Sequence, residues 1–127
     1  DHYLPTDADA VPTGEIADVA GTMMDLRDGP EISSASHSFD HNFCLTAGES
    51  RLRDVLWFTG KRGVQMVMAT TEPGLQVFDG HTLPANFNAL AFEAQGWPDA
   101  PNHRGFPAIK LRAGDTYAQT TKWSFTA

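Results

Sequence analysis

Apolar residues occur along this chain in short bursts separated by Gly, Pro, Asn and Asp, and no stretch of ten or more positions keeps a 3.6-residue repeat. An amphipathic helix repeats its apolar positions every three to four residues, whereas strands alternate them or form short apolar runs. The pattern therefore predicts an all-β chain.

The clearest predicted element is a β-hairpin with arms at residues 51–58 and 63–70. Between the arms lies the sequence Thr-Gly-Lys-Arg, in which Gly60 is expected to supply the positive φ of a tight turn. The second arm is apolar at successive positions, so both of its faces are apolar. We therefore expect it to be a central strand that is covered on both sides.

Weaker signals predict the remaining elements. Residues 72–74, Glu-Pro-Gly, predict a turn in which the glycine tolerates either sign of φ, and a strand follows at 75–78. Two stretches without a strand pattern, 28–38 and 96–107, are predicted to be irregular loops, which in compact domains often cover a site. Further strands are predicted at residues 15–19, 41–45, 89–93, 109–111 and 116–125.

The chain has the length and composition of one ordinary globular domain, with 127 residues of which 41% are hydrophobic and 20% charged. Its net charge of -7, without any basic run, argues against nucleic acid or an anionic membrane surface as a partner. No apolar run approaches the roughly 20 residues that span a bilayer. The single cysteine, Cys44, excludes an internal disulfide, and we expect a reducing compartment, the cytoplasm.

Common catalytic and cofactor motifs are absent from the sequence. Its five histidines form no His-x-His pair and no pair one turn apart on a predicted helix, and one cysteine cannot complete a usual zinc set. There is no Gly-x-Ser-x-Gly and no glycine-rich phosphate loop. Cys44 lies between Phe43 and Leu45, an apolar strand context in which a thiol is normally inert packing. We therefore expect no metal and no cofactor.

Two carboxylates are the best candidates for chemistry. Asp40 lies in the segment 39–43 (FDHNF) and Glu93 in the segment 91–95 (AFEAQ), and the apolar neighbours of both argue for burial. A buried carboxylate is costly unless it is paired, hydrogen-bonded or neutral, so such positions tend to be functional or part of a structural network. Either one alone is more simply a turn cap or an exposed strand residue. Residue types and spacing thus support a β domain, with carbohydrate binding as one interpretation.

Seven segments, in order and over essentially the whole chain, carry a family resemblance. The segments are residues 1–7 (DHYLPTD), 12–16 (PTGEI), 39–43 (FDHNF), 70–76 (TTEPGLQ), 93–102 (EAQGWPDAPN), 106–107 (FP) and 111–117 (LRAGDTY). They resemble the carboxyl-terminal half of the galactose mutarotase (aldose 1-epimerase) family. The resemblance implies a large, mostly antiparallel β-supersandwich, of which residues 1–127 are the carboxyl-terminal portion of a single mutarotase-like domain.

The same resemblance implies an activity, the interconversion of α and β anomers of free aldoses such as galactose and glucose. A base takes the proton of the C1 hydroxyl and an acid protonates the ring oxygen, so that the hemiacetal opens and recloses. By the resemblance, Glu93 matches the base, Asp40 a carboxylate that hydrogen-bonds sugar hydroxyls, and Gln76 a sugar-contacting amide. Partial burial that raised the pKa of Glu93 would suit the base role.

The family's catalytic acid is a histidine of its first half, and none of the five histidines here matches that motif. The resemblance therefore implies a partner, the amino-terminal half on the same enzyme or on another chain. Two alternatives remain open: a non-catalytic half-domain that binds carbohydrate or a protein, and an epimerase of hexose phosphates. The chain lacks a cluster of Arg or Lys for a phosphate, which counts against the second.

Other residues of these segments are expected to have structural roles or different local contacts. His41 is expected to orient its loop or bridge backbone groups, and Trp97 to be a core residue in preference to a sugar-stacking platform. Residues 79–81, Asp-Gly-His, depart from the Gly-Asn found at this point in many family members. We therefore expect the contacts at the edge of the sugar site to differ there.

Overall fold

The computed structural model of the chain describes residues 1–33, 36–45, 50–83 and 89–127. Within these ranges the chain forms eight β-strands and a single turn of 3-10 helix at Ala100–Asn102. The prediction of an all-β chain is confirmed. The strands are β1 (His2–Tyr3), β2 (Ala17–Asp18), β3 (Asp40–Cys44), β4 (Arg53–Thr59), β5 (Gln65–Thr70), β6 (Gly74–Phe78), β7 (Ala91–Gln95) and β8 (Thr121–Thr126).

The strands form two sheets, in which every pair of neighbours is antiparallel. The larger sheet has five strands in the order β2-β1-β3-β6-β7, and the smaller has three in the order β4-β5-β8. Because successive side chains of a strand point to opposite faces, each sheet offers one face to the core and one to the outside.

The main core lies between the two sheets. Phe39 and Met68 are fully buried there, and the rings of Phe58 from β4 and Phe92 from β7 approach to 5.6 Å between centroids. The larger sheet contributes the odd-numbered residues of β3 and β6 together with the even-numbered residues of β7. The alternate residues of the same three strands face away from the core and are free to form a site.

The predicted hairpin is confirmed as β4 and β5, but its turn is not built as expected. Gly63, with φ of 86°, takes the positive φ that the sequence analysis assigned to Gly60. Five residues, 60–64, connect β4 to β5, and within them Gly60 N–H bonds to the Val64 carbonyl and Gly63 N–H to the Gly60 carbonyl, each at 2.9 Å. The left-handed residue therefore falls late in the loop, two positions before β5 begins at Gln65.

β5 is the central strand of its sheet, as predicted, although only its last part is covered. Met68, Ala69 and Thr70 are buried, whereas Gln65, the first residue of the strand, and Val64 just before it are exposed. The smaller sheet therefore leaves apolar surface open to solvent.

The other predicted strands form with shifted ends, except the one at 109–111. The strand predicted at 15–19 shrinks to β2, the one at 116–125 begins only at Thr121, and the two-residue strand β1 was not predicted. No strand forms at 109–111, where Ile109 and Leu111 are 53% and 55% exposed, because no strand lies beside this triplet. The loop at 96–107 contains the 3-10 turn, and the loop at 28–38 is irregular at its described residues, with 34–35 outside them.

Gly74 also has a different role from the expected one. It does not adopt a positive φ and begins β6, not a turn. A Cβ atom at this position would lie 2.5 Å from Asn42 Oδ1 and 3.0 Å from the Gln95 carbonyl oxygen. Gly74 is therefore needed for close approach of neighbouring strands, the second common reason for a glycine.

Candidate functional site

The three residues singled out from the sequence lie on one face of three adjacent strands. Gln76 of β6 pairs with Glu93 of β7 on one side and with Asn42 of β3 on the other, and Asp40 pairs with Phe78. Residues directly opposite each other across strands share a face, and positions two apart along a strand do so as well. Asp40, Gln76 and Glu93, which are up to 53 positions apart in sequence, are thereby brought together on the face that points away from the core.

This face forms the floor of an open cavity of about 340 Å³, which lies in the size range of small-molecule sites. The loop after β1 and the start of the loop after β7 form its walls. The lining residues are Leu4, Thr6, Ala10, Pro12, Asp40, Asn42, Gln76, Phe78, Glu93, Gln95 and Pro98.

The wall formed by the loop after β1 is a tight turn held by one carboxylate. Asp7 Oδ1 accepts the N–H groups of Asp9 at 2.9 Å and Val11 at 3.0 Å, and Thr6 and Pro12 close the loop as an isolated bridge. Ala10 takes a φ of 62° at the tip, a backbone conformation that residues other than Gly, Asn and Asp seldom adopt. The hydrogen bonds to Asp7 thus fix this wall over the floor.

Asp40 and Gln76 are joined directly by a hydrogen bond in which Gln76 Nε2 donates to Asp40 Oδ1 at 2.8 Å. Gln76 Oε1 is buried and accepts no hydrogen bond from any residue that the structure describes. Burying an amide oxygen without a partner costs free energy, so this acceptor is suited to a donor supplied from outside these residues.

Glu93 is exposed, so the expectation that its apolar neighbours imply burial is wrong. The physical reason is strand alternation: Phe92 and Ala94 point into the core, and this orientation turns Glu93 the other way. Asp40, the other candidate carboxylate, is half-buried. The partial burial of Glu93 that was expected to suit a base is not present among the described residues.

His41 lies on the core face of β3, opposite to Asp40, and its ring meets the ring of Tyr3 edge-on at 5.8 Å. Its Nδ1 accepts a 3.2 Å hydrogen bond from the Asp40 N–H. Burial lowers the pKa of His41 below its ordinary value, which favours the neutral ring that can accept this bond. His41 therefore hydrogen-bonds one backbone group, the Asp40 N–H, and does not line the cavity.

Trp97 and Cys44 belong to a second, smaller core beside the cavity. Trp97 is 5% exposed, and its Nε1 donates to the Pro73 carbonyl at 2.7 Å, so the prediction that it is a core residue is confirmed. Burial raises the pKa of the Cys44 thiol to about 12, which keeps it protonated and unreactive near neutral pH.

At the rim, Asp79 connects the residue before β3 to the residues after β6. Its carboxylate accepts the N–H of Phe39 at 2.8 Å, the N–H of His81 at 3.0 Å, and a contact from His81 Nδ1 at 2.5 Å. Burial opposes ionisation of Asp79, but the hydrogen bonds from Phe39 and His81 outweigh it and lower the pKa of the carboxyl. Asp79 and His81 thus give this rim its own set of contacts.

Two residues of the cavity floor, Asn42 and Gln95, were not identified from the sequence. Each lies two positions along a strand from a candidate carboxylate, Asn42 after Asp40 and Gln95 after Glu93. The period of two residues was the available signal, because it places polar neighbours at i+2 on the same face.

The described residues contain no group of three His, Cys, Asp or Glu side chains arranged to hold a metal ion. Within the same ranges, no helix is long and apolar enough to cross a membrane.

This geometry defines the class of protein. It is an antiparallel two-sheet β protein with carboxylates and amides on an open sheet face. The family model for aldose 1-epimerase matches residues 1–124. The chain therefore belongs to the aldose 1-epimerase family, and the resemblance and fold predicted from its sequence are confirmed.

Relatives agree with this assignment. The galactose mutarotase of Rattus norvegicus is 36% identical over 99% of this chain, and the aldose 1-epimerase of Escherichia coli (strain K12) is 30% identical over 100%. The crystal structure of the GalM/aldose epimerase homologue from C. elegans superposes with a TM-score of 0.85 and 25% identity over 99% of this chain. The chain spans 42% of the length of the rat relative and 43% of the lengths of the other two.

Proposed function

We propose that this chain supplies the base and part of the sugar-binding surface of an aldose 1-epimerase. Its substrates are free hexoses such as galactose or glucose, and the reaction interconverts their α and β anomers. The observation that carries the proposal is the alignment of Asp40, Gln76 and Glu93 on one sheet face beneath an open cavity. Family membership supplies the reaction class.

In the proposed mechanism the Glu93 carboxylate accepts the proton of the C1 hydroxyl. The bond between C1 and the ring oxygen then breaks as an acid protonates that oxygen, which leaves the open-chain aldehyde. Rotation about the C1–C2 bond and reclosure give the other anomer. Asp40 accepts a hydrogen bond from a sugar hydroxyl, and Gln76 is held beside it by the bond to Asp40. Proton transfers suffice for this reaction, so the proposal uses no cofactor.

The acid that the proposal requires is a histidine, as the family resemblance implies. All five histidines lie in described ranges, and none of them lines the cavity. We propose that residues 1–127 form the carboxyl-terminal portion of a single mutarotase-like domain and that the acid comes from the amino-terminal half, on the same enzyme or on another chain. The exposure of Glu93 is consistent with this, since further structure would cover it.

An uncovered apolar surface supports the same partner. Trp123 and Phe125 of β8 pair with Met68 and Met66 and so share the face that buries Met68, yet they are 50% and 65% exposed. Apolar surface of this kind commonly marks an interaction site. We propose that the amino-terminal half covers it, and that the complete protein resides in the cytoplasm.

A non-catalytic carbohydrate-binding half-domain is the second candidate. The observation that favours it is the absence of a histidine from the cavity lining, because a surface of Asp40, Gln76 and Glu93 can bind a sugar without opening its ring. The hexose phosphate alternative is not supported, since every Arg and Lys lies in a described range and none of them lines the cavity.

The deciding experiment combines this chain with the amino-terminal half of an aldose 1-epimerase and follows anomer equilibration of galactose by polarimetry. Equilibration faster than the uncatalysed rate, lost in the Glu93→Gln variant, supports the enzyme. Sugar binding without acceleration in an assembled complex supports the binding module. Mass spectrometry of the purified chain checks first whether a second polypeptide is already bound.

A further inference from the structure

The amide pair Asn42 and Gln95 extends the cavity floor beyond the residues used in the proposed function. Asn42 is 2% exposed, whereas Gln95 is partly open and lines the cavity. Gln95 lies two residues after Glu93, about 7 Å along β7, and opposite Gly74 of β6. A ligand that contacts Glu93 can therefore reach Gln95 with a different one of its groups.

The orientation of the two amides follows from their hydrogen bonds. Asn42 Nδ2 donates to the Phe43 carbonyl at 3.3 Å, which leaves Asn42 Oδ1 directed at Gln95. An amide oxygen accepts only from a donor, so Gln95 must present its NH2 group, whose nitrogen lies 3.5 Å away. The carbonyl end of Gln95, Oε1, is then the end without a hydrogen bond from the described residues.

The backbone is shaped to hold this pair. A Cβ atom at Gly74 would collide with Asn42 Oδ1 at 2.5 Å and crowd Trp97 Cδ1 at 3.0 Å. The glycine therefore makes room for the Asn42 amide in the position from which it contacts Gln95. Binding sites use a small number of precisely placed polar groups, and such groups are held in place by supporting hydrogen bonds; the contact from the buried Asn42 gives Gln95 that support on the cavity floor.

We propose that Gln95 is a specificity-determining residue whose Oε1 accepts a hydrogen bond from one hydroxyl of the aldose, away from C1, and that Asn42 is the positioning residue that fixes this orientation. The inference rests on the proposed function, because the sugar is the one on which Glu93 acts. A site built to bind a hydroxyl discriminates against the analogue that lacks it, since the protein acceptor is then left without its partner.

The test measures kcat/KM for galactose, glucose and their monodeoxy analogues in the protein assembled with its amino-terminal half. The variants are Gln95→Leu and, as a control, Gln65→Leu on the exposed start of β5. In Gln95→Leu we expect kcat/KM for the parent sugar to fall about three- to tenfold, through an increase in KM. For the one deoxy sugar that lacks the hydroxyl bound by Gln95, we expect kcat/KM to be the same in Gln95→Leu and in the unmodified protein. The other deoxy sugars should keep their full penalty, and the control should resemble the unmodified protein.

A uniform loss on every sugar, or no loss, overturns the role of Gln95. An unmodified assembly that neither equilibrates nor binds hexoses overturns the proposed function as well. If it binds them without turnover, the same comparison is made with Kd, so that the two proposals remain separable. Gly74→Ala should displace Asn42 and abolish the same selectivity in folded protein, and if this variant does not fold, Gln95→Leu alone decides.

Discussion

Asp40 and Gln76 are 36 positions apart in sequence, yet Gln76 Nε2 donates a 2.8 Å hydrogen bond to Asp40 Oδ1 on the floor of the cavity. The pairing of β3 with β6 produces this contact, since Asp40 lies diagonally across from Gln76 on the same face. One carboxylate oxygen of Asp40 is thus used within the protein, and in the proposed function the other accepts from the sugar.

The first prediction concerns Asp40. Asp40→Asn removes the charge that strengthens a hydrogen bond from a sugar hydroxyl, a bond worth about 1.5–3 kcal/mol. The Asn oxygen can still accept a neutral hydrogen bond worth about 1 kcal/mol, so in the assembled enzyme we expect KM for galactose to rise about three- to thirtyfold. Saturation curves measure the effect, and Asp54→Asn on the other sheet serves as the control. Unchanged KM and kcat would make Asp40 a purely structural residue.

The second prediction concerns Glu93. Glu93→Gln keeps the shape of the side chain and removes its basicity, so we expect kcat to fall at least about a hundredfold. Because Glu93 is exposed and forms no hydrogen bond with the described residues, Tm should not change. Glu31→Gln, at another exposed position, is the matched control. Full turnover in Glu93→Gln would remove this residue from the mechanism.

Much of the fold could be predicted from the sequence because strand patterns are local. The β4–β5 hairpin is read from alternating apolar runs around a glycine-containing turn. The glycine with positive φ could not be chosen correctly, since Gly60 and Gly63 both fit and the loop length, which decides between them, depends on the register of the strands. The triplet 109–111 has strand composition but no partner strand, and pairing is a tertiary property.

The candidate site was predictable only in part. Asp40 and Glu93 were singled out from their sequence context, and family resemblance added Gln76 and the three roles. The burial of Glu93 was misjudged because apolar neighbours in a strand imply the opposite orientation. Asn42 and Gln95 were missed because single amides have no distinctive motif. Their placement on the cavity floor depends on which strands are adjacent, and that order, β3-β6-β7, is not local information.

The third prediction concerns Cys44. Burial raises its pKa to about 12 from an ordinary value of 9.0, so the thiolate at pH 8 is about a thousandfold scarcer than in an exposed cysteine. Alkylation by iodoacetamide, followed by mass spectrometry, should be slower by a similar factor in the folded chain. In guanidinium chloride the rate should return to that of a simple thiol. Rapid labelling under native conditions would show that the second core does not enclose this residue.

The fourth prediction concerns the chain without its proposed partner. Trp123 and Phe125 lie on β8, an edge strand whose outer backbone groups are unpaired within the described sheet. Exposed aromatic residues beside a free strand edge favour association between chains. We therefore expect the isolated chain to self-associate in size-exclusion chromatography with light scattering and to equilibrate galactose anomers no faster than the uncatalysed reaction.

Substitutions on β8 test whether the face that carries Trp123 and Phe125 is the surface through which the chain associates. Trp123→Thr combined with Phe125→Thr keeps β propensity while it removes apolar area, so we expect less self-association of the isolated chain and weaker assembly with the amino-terminal half. Trp57→Thr is the control, since Trp57 pairs with Val67 and lies on the opposite face of the same sheet. If Trp57→Thr reduces association and the β8 variant does not, the contact surface is the outer face of this sheet. A monomeric isolated chain that equilibrates galactose anomers would contradict the half-enzyme proposal itself, because the acid would then have to come from His37, His41, His81 or His103 of this chain.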